Sequence, residues 1–139
     1  MSRSASAVSS TVQLRLVTTG DLLPVPAELR YDPADPYAVT VCLRAEWSTE
    51  VEWVVARDLL ATGLRAPAGD GDLGVWPSTS GGDDVVCLCL SSPDGEALLF
   101  GLHEDVAEFL TRTYGAVPPG MESQFLDIDA LVDQLLDRV

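Results

Sequence analysis

The stretch that decides the fold is Glu50–Leu64, EVEWVVARDLLATGL. Its first half alternates in hydropathy, which predicts a strand with Val51, Trp53 and Val55 on one face. From Ala56 onward the leucines are spaced as on a short helix. Gly63 stands where a helix would end in the left-handed conformation. The pattern therefore predicts a strand that runs into a helix with almost no loop.

The composition fits one acidic, folded domain. The chain has 139 residues, of which 47% are hydrophobic, so a proper core is feasible. It carries 22 acidic and 8 basic residues, for a formal net charge of −14. This charge opposes binding to nucleic acid and to anionic membranes. It favours protein partners that present basic patches.

The apolar runs and the cysteines indicate a cytoplasmic protein. No run is long enough for a signal-peptide core or for a membrane span of about 18 residues, so no direct membrane insertion is expected. Cys42, Cys87 and Cys89 all lie in apolar, strand-like runs. An odd number of such cysteines predicts buried, reduced thiols.

The first third of the chain predicts a disordered start, one strand and a long connection. Residues 1–10 are rich in Ser and Ala, so we expect them to be disordered and the single domain to span residues 11–139. Residues 11–18 alternate as a strand does. Four prolines between Gly20 and Pro36 predict an extended or turn-like connection that packs over the sheet.

The rest of the chain predicts further strands at 37–46, 72–76, 84–92 and 96–101, with a tight turn at 47–49. Pro77 is expected to end the strand before it, and residues 78–83 to form a hairpin loop. A helix is predicted at 104–114, with Val106, Phe109, Leu110 and Thr113 on one side and Gly115 at its end, and a further helix at 127–139.

The predicted order is β-β-β-α, repeated once, followed by a C-terminal helix. We therefore expect an α+β fold of duplicated β-β-β-α units. Strands joined by short turns pair antiparallel, so the units should form a pair of antiparallel sheets or a partly closed barrel. The C-terminal helix has an apolar stripe that would either close the domain's own core or dock on a partner.

Candidate catalytic and metal-ligating residues do not form a recognisable constellation. His103 is the single histidine and is expected at the start of a helix, partly exposed. Cys87 and Cys89 would share a strand face but lack further zinc ligands. The paired acids fit solvated turns better than calcium or glycosidase sites; they are Asp32 with Asp35, Asp70 with Asp72, and Asp83 with Asp84. We predict no catalytic residues, no metal and no cofactor.

Two features leave other functions open. Trp47, Trp53 and Trp76 could stack on nucleotides, although without interleaved basic residues they fit a core or subunit interface better. Arg57 and Asp58 lie where a strand meets a helix start, a position suited to an anion site. The second unit has Leu102-His103 in the comparable place, which weakens that interpretation.

Several sequence blocks resemble the SsgA-like proteins of filamentous actinomycetes, which control sporulation-specific cell division. The blocks are LPVPAELRYDPADPYAV (Leu23–Val39), VEWVVARDLLATGL (Val51–Leu64), GDLGVWPS (Gly71–Ser78), LSSPDGEALL (Leu90–Leu99) and FLTRTYGAVPPGME (Phe109–Glu122). They occur in the family's order and, with the acidic tail, extend from about Thr11 to Val139.

The resemblance implies a non-enzymatic adaptor at the cell septum. Such a protein would position septum sites by recruiting the tubulin-like division protein FtsZ and promoting its polymerisation, together with an SsgA-type paralogue. The implied assembly is a homotrimer with a fold like that of the whirly single-stranded nucleic-acid binders. A whirly-like nucleic-acid binder is thus the alternative function, supported by fold analogy alone. Arg30, Arg57 and Asp58 are the candidate partner-binding residues, because they lie in resembling blocks and do not easily fit a core; structural ion pairs are the alternative.

Overall fold

The computed structural model describes residues 6–44, 50–93 and 95–126. The predicted turn at 47–49 and the predicted helix at 127–139 lie outside this range. Within it, the elements follow as β1 (Val8–Thr18), β2 (Asp21–Tyr31), β3 (Ala38–Leu43), β4 (Val51–Ala56), α1 (Arg57–Gly63), β5 (Ala68–Asp70), β6 (Leu73–Ser80), β7 (Asp83–Ser92), β8 (Gly95–Leu102) and α2 (His103–Ala116). A single 3₁₀ turn, Glu122–Gln124, comes after α2. None of the described helices is long and apolar enough to cross a membrane.

The eight described strands form one antiparallel sheet in the order β4-β3-β2-β1-β8-β7-β6-β5. Two four-strand meanders therefore meet where β1 lies beside β8, and each meander is followed by a helix. The α+β class and the antiparallel pairing are confirmed. The strand count per unit is wrong, because each half has four strands and not three. The expected pair of separate sheets is also wrong, since the ladder is continuous.

Strand β2 occupies most of the segment that was expected to be a connection. It pairs with β1 along its whole length, from Val8 with Tyr31 to Thr18 with Asp21. Pro26 fits into β2 because its nitrogen, which carries no hydrogen, faces away from β1. Its carbonyl accepts a hydrogen bond from the Arg44 N–H at 3.0 Å, and the nitrogen and carbonyl of one strand residue point to the same side. Pro24 faces the same way, where β2 has no ladder to β3. Both prolines lie beyond the end of the β2–β3 ladder at Ala27, so neither nitrogen has to donate within a ladder.

Two strands are longer than predicted. β1 begins at Val8, which is buried, so the expected disorder is wrong for residues 8–10. β6 continues through Pro77 to Ser80, because β5 pairs only with its first three residues and leaves Pro77 at an open edge. The hairpin loop is then just Gly81-Gly82, with φ values of 59° and 89° that favour glycine.

The core lies between the sheet and the two helices. Helix α2 buries Val106, Phe109, Leu110 and Thr113, the four residues of its predicted stripe. It continues one residue past Gly115, whose φ is not positive, to Ala116. The three cysteines are free thiols, as predicted, although Cys89 is only partly buried. Burial raises the pKa of the Cys42 and Cys87 thiols.

Gly63 serves a different purpose from the predicted left-handed helix end. It is the last residue of α1, it is buried, and its φ is not positive. A Cβ atom at this position would lie 2.1 Å from Cγ1 of Val75 on β6. Glycine is therefore required because α1 approaches β6 too closely for any side chain.

We predict that Gly63→Ala destabilises the protein by about 1–3 kcal/mol, because the methyl group forces α1 away from β6. The matched control is Gly115→Ala in α2, where a Cβ would meet nothing within 4 Å. That change should leave the free energy of unfolding unchanged or raise it by up to about 1 kcal/mol. Urea unfolding measures both, and equal losses for the two variants would contradict the close-approach explanation.

Candidate functional site

Arg57 is a buried cation at the point where β4 becomes α1. Ala56 is extended, with φ −61° and ψ 133°, and Arg57 is the first helical residue, so no loop separates the two elements. Only 1% of the Arg57 surface is exposed. Its backbone N–H donates to the Tyr37 carbonyl at 2.8 Å, which continues the β3–β4 pairing into the helix. The direct junction thereby turns the guanidinium into the interior.

The guanidinium reaches the end of α2 and the segment after it. Its Nη1 donates to the Val117 carbonyl at 2.8 Å and to the Thr113 carbonyl at 3.3 Å. Its Nη2 forms a 2.8 Å ion pair with Glu122 Oε1. Carbonyls at a helix C-terminus carry partial negative charge, so this end of α2 favours a cation. Arg57 Nε has no hydrogen-bond partner among the described residues.

Two tyrosine rings complete the surroundings of Arg57. Its guanidinium carbon lies 4.9 Å from the ring centre of Tyr31 and 5.0 Å from that of Tyr114. Both distances fall within the range of cation–π attraction. The Tyr31 hydroxyl donates to the Pro36 carbonyl at 2.9 Å. Burial raises the pKa of both tyrosines, against an opposing effect of the nearby Arg57 charge.

The buried carboxylate of Glu122 is held in place by Arg57 on one side and by Gly120 on the other. The Gly120 N–H lies 3.0 and 3.1 Å from its two carboxylate oxygens. Hydrogen bonds from the backbone N–H groups of Glu122 itself and of Gly120, followed by the Arg57 guanidinium, hold the pKa of this carboxyl below its usual value. The charged pair is therefore stable in the interior although burial alone disfavours it.

His103 takes the place in the second half that Arg57 has in the first. It follows Leu102, whose φ of −63° and ψ of 132° nearly match those of Ala56. His103 Nε2 lies 3.0 Å from the carbonyl of Leu64, at the end of α1. Each helix thus begins with a side chain that contacts the end of the other helix. Arg57 corresponds to His103, so the comparison of Arg57-Asp58 with Leu102-His103 was one residue out of register.

The three candidate partner-binding residues do not form one site. Arg57 is a core residue, so the argument that it cannot easily be core was wrong. Its neighbour Asp58 is exposed. Arg30 lies on β2 in a separate ion-pair group with Glu28, with Glu50 at 3.3 Å and with Glu52 at 3.5 Å. Partner binding by these residues stays a prediction.

The contacts of the other candidate acids and thiols hold the fold together. Asp32 accepts the Ala34 N–H at 2.9 Å, as a turn residue does. Cys42, Glu50 and Glu52 place potential metal-ligand atoms within 4.8 Å of one another, which sequence spacing could not show. Arg30 already pairs with both carboxylates, and burial raises the pKa of the thiol, so this cluster is an ion-pair group over a buried cysteine.

Two cavities lie beside the candidate residues, one next to Arg30 and one next to Arg57. A cleft of about 410 Å³ is lined by Arg30, Tyr31, Asp32 and Asp35 among others, and a smaller one of about 70 Å³ by Tyr37, Arg57, Asp58 and Glu122. His103 lines neither. The polar contacts of Arg57 join the start of α1 to the end of α2 and to the segment after α2. Sequence reasoning missed Glu122, Tyr31 and Tyr114, although all three lie in the quoted family blocks.

We predict that Arg57→Met lowers the free energy of unfolding by about 3–5 kcal/mol, since it leaves Glu122 buried without its cation. The control is Arg30→Met, which removes an arginine with a side chain 40% exposed. That variant should lose no more than about 1 kcal/mol. Urea unfolding tests both variants, and a loss for Arg57→Met as small as that of the control would contradict the role given to the buried pair.

The lowered pKa of Glu122 predicts a dependence of stability on pH. The stabilisation is fully present above the ordinary carboxyl value of 4.5 and is lost as the pH falls through the lower folded pKa. Glu122→Gln should therefore be less stable than the natural chain at neutral pH, with a difference that narrows in acid. Unfolding curves at several pH values test this expectation, which fails if the difference stays constant.

Comparison with known proteins places these features in a family. Residues 25–122 match the family described as Streptomyces sporulation and cell division protein, SsgA. The sporulation-specific cell division protein SsgB of Streptomyces coelicolor is 52% identical over 130 residues, covering 93% of this chain and 95% of that protein. SsgB of Frankia casuarinae is 49% identical over 124 residues, covering 88% and 87%.

Solved structures agree with the fold. One, described under mutations in SsgB that correlate to longitudinal cell division during sporulation of Streptomyces coelicolor, has 53% identity and a TM-score of 0.83, covering 87% of this chain and 96% of its own. An SsgA-like sporulation-specific cell division protein from Thermobifida fusca has 38% identity and a TM-score of 0.87, covering 96% and 98%. These matches support a role in cell division. The chain belongs to the SsgA family of sporulation and cell division proteins.

Proposed function

We propose that this chain is a non-enzymatic adaptor of sporulation-specific cell division. In this role it recruits FtsZ to future septum sites and promotes FtsZ polymerisation, together with an SsgA-type paralogue. The observation that carries the proposal is the 52% identity, over 93% of the chain, to a protein named for sporulation-specific cell division. Its place of action would be the cytoplasmic side of the septum.

The roles of the buried polar groups support an adaptor. Arg57 and Glu122 neutralise each other in the interior, and His103 contacts the backbone of the opposite helix. These groups join α1, α2 and the segment after α2 into one body. The surface, with a chain net charge of −14, is then available to partners with basic patches.

The architecture also supports a duplicated, whirly-like origin, and we include a trimeric assembly in the proposal. The strand order repeats one four-strand meander, β4-β3-β2-β1 followed in the same sense by β8-β7-β6-β5. The two strand-to-helix junctions share their backbone angles within a few degrees and make reciprocal contacts. The three-copy assembly follows from the family resemblance.

The adaptor proposal predicts that the purified chain binds FtsZ and raises the amount of polymer. Light scattering during GTP-driven assembly and sedimentation of the polymers measure the two effects. An unrelated protein of similar size and net charge serves as the control for non-specific charge effects. Neither binding nor a change in polymer would contradict the proposal, and tight, salt-sensitive binding of single-stranded DNA would favour the nucleic-acid alternative.

The trimer predicts a single species of three times the 14.8 kDa chain mass in sedimentation velocity at micromolar concentration. The expected result is independent of FtsZ, so the assembly and the partner can be tested separately. A monomer under these conditions would contradict the trimer.

A further inference from the structure

The sheet face that points away from the helices carries a row of polar side chains across β2, β3 and β4. Val41 of β3 belongs to the core, so its neighbour Cys42 faces the opposite way, towards this outer face. Cys42 is directly opposite Glu28 of β2 and Glu52 of β4. Residues paired across strands share a face, so a cysteine lies between two glutamates on the outer face of the first half.

A further acidic residue completes the group. The Cys42 Sγ atom and one carboxylate oxygen from each of Glu50 and Glu52 all lie within 4.8 Å of one another. We call these three residues the thiol–carboxylate cluster. They come from β3, from β4 and from the residue just before β4, so the β3–β4 ladder holds the three ligand atoms close together.

Negative charge exceeds positive charge around the cluster. Arg30 forms ion pairs with Glu50 at 3.3 Å and with Glu52 at 3.5 Å, and it also pairs with Glu28. The ion pairs of Arg30 are readily exchanged, because its side chain is 40% exposed and exposed ion pairs contribute little to stability. A doubly charged cation would balance the carboxylates of Glu50 and Glu52 better than the single charge of Arg30 does.

The Cys42 thiol is buried without a hydrogen bond. Its residue is 0% exposed, although it points away from α1 and α2. Within residues 6–44, 50–93 and 95–126, this thiol makes no hydrogen bond. The thiolate is the form of cysteine that binds metal ions. A buried sulfur beside two carboxylates is therefore a ligand atom that the fold itself does not use.

The donor atoms select the kind of cation. Zn²⁺ is bound by thiolate sulfur and by carboxylate oxygen, whereas Ca²⁺ and Mg²⁺ take oxygen ligands. We propose that Cys42, Glu50 and Glu52 bind a zinc-like divalent cation, which takes the place of the Arg30 guanidinium. The thiol binds as thiolate, and its proton is released to the solvent. Water supplies the fourth position of a tetrahedral site.

Cobalt(II) is the probe for this site, because its thiolate complexes absorb light where the free ion and the protein do not. The reduced, full-length chain is treated with a chelator, freed of it, and titrated with Co²⁺. We expect a thiolate-to-cobalt absorption band that saturates near about one equivalent, as one site of three protein ligands requires. Added Zn²⁺ should remove the band by displacing the cobalt.

The first variant removes the sulfur. Cys42→Ser should abolish the band and weaken cobalt binding at least about tenfold. The matched control is Cys89→Ser, which removes a thiol that is only partly buried. The cross-strand neighbours of Cys89 are Gly74 and Leu98, which offer no side-chain ligand atom. The control should therefore keep both the band and the affinity of the natural chain.

Two further variants leave the thiol in place. Glu50→Gln/Glu52→Gln changes side chains that are 40% and 55% exposed, and it should weaken cobalt binding about tenfold. Arg30→Met removes the competing cation and should tighten cobalt binding about two- to tenfold. An ion-pair group without a metal predicts neither result. If Cys42→Ser fails to fold, as judged by circular dichroism, these two variants decide the question.

Three results would overturn the inference. The first is the absence of a thiolate-to-cobalt band in the natural chain. The second is a band that survives Cys42→Ser or is lost in Cys89→Ser, because the metal would then lie at another thiol. The third is cobalt binding by Arg30→Met that is no tighter than that of the natural chain. None of these measurements involves FtsZ, so the proposed function stands or falls separately.

Discussion

The structure depends on a cation that is placed where water cannot reach it. Burying an unpaired guanidinium is strongly unfavourable, so the fold must surround Arg57 with compensating groups. It does so with a carboxylate, two carbonyls at the end of α2 and two aromatic rings. These groups come from β2, α2 and the segment after α2, which are far apart in sequence. A single side chain therefore fixes how the first half of the chain meets the second.

The contact has a counterpart in the second half. His103 reaches the end of α1 as Arg57 reaches the end of α2, and both residues follow an extended residue with nearly the same backbone angles. The direct strand-to-helix junction is what aims each side chain inward. This explains why Arg57 and His103, residue types that are common in active sites, occur at these junctions in a member of a cell-division family. Their partners are backbone carbonyls and, for Arg57, also the Glu122 carboxylate.

Much of the fold could be predicted from periodicity. The β4–α1 junction and the stripe Val106, Phe109, Leu110 and Thr113 follow directly from spacing, because burial on one face imposes it. Pro24 and Pro26 misled the prediction, since proline excludes a strand only where its nitrogen must donate. The close approach of Gly63 to Val75 and the pairing of Arg57 with Glu122 could not be seen, because both join residues distant in sequence. An arginine also carries no local sign that it will be buried.

The reciprocal helix-end contacts make the two halves one cooperative unit. Native-state hydrogen exchange tests it most directly, because it measures the free energy of opening at each amide. We expect slowly exchanging amides of β3 and α1, in the first half, to open with the same free energy as those of β7 and α2, in the second. That value should equal the free energy of global unfolding. If one half opens at a clearly lower free energy while the other stays protected, the claim is wrong.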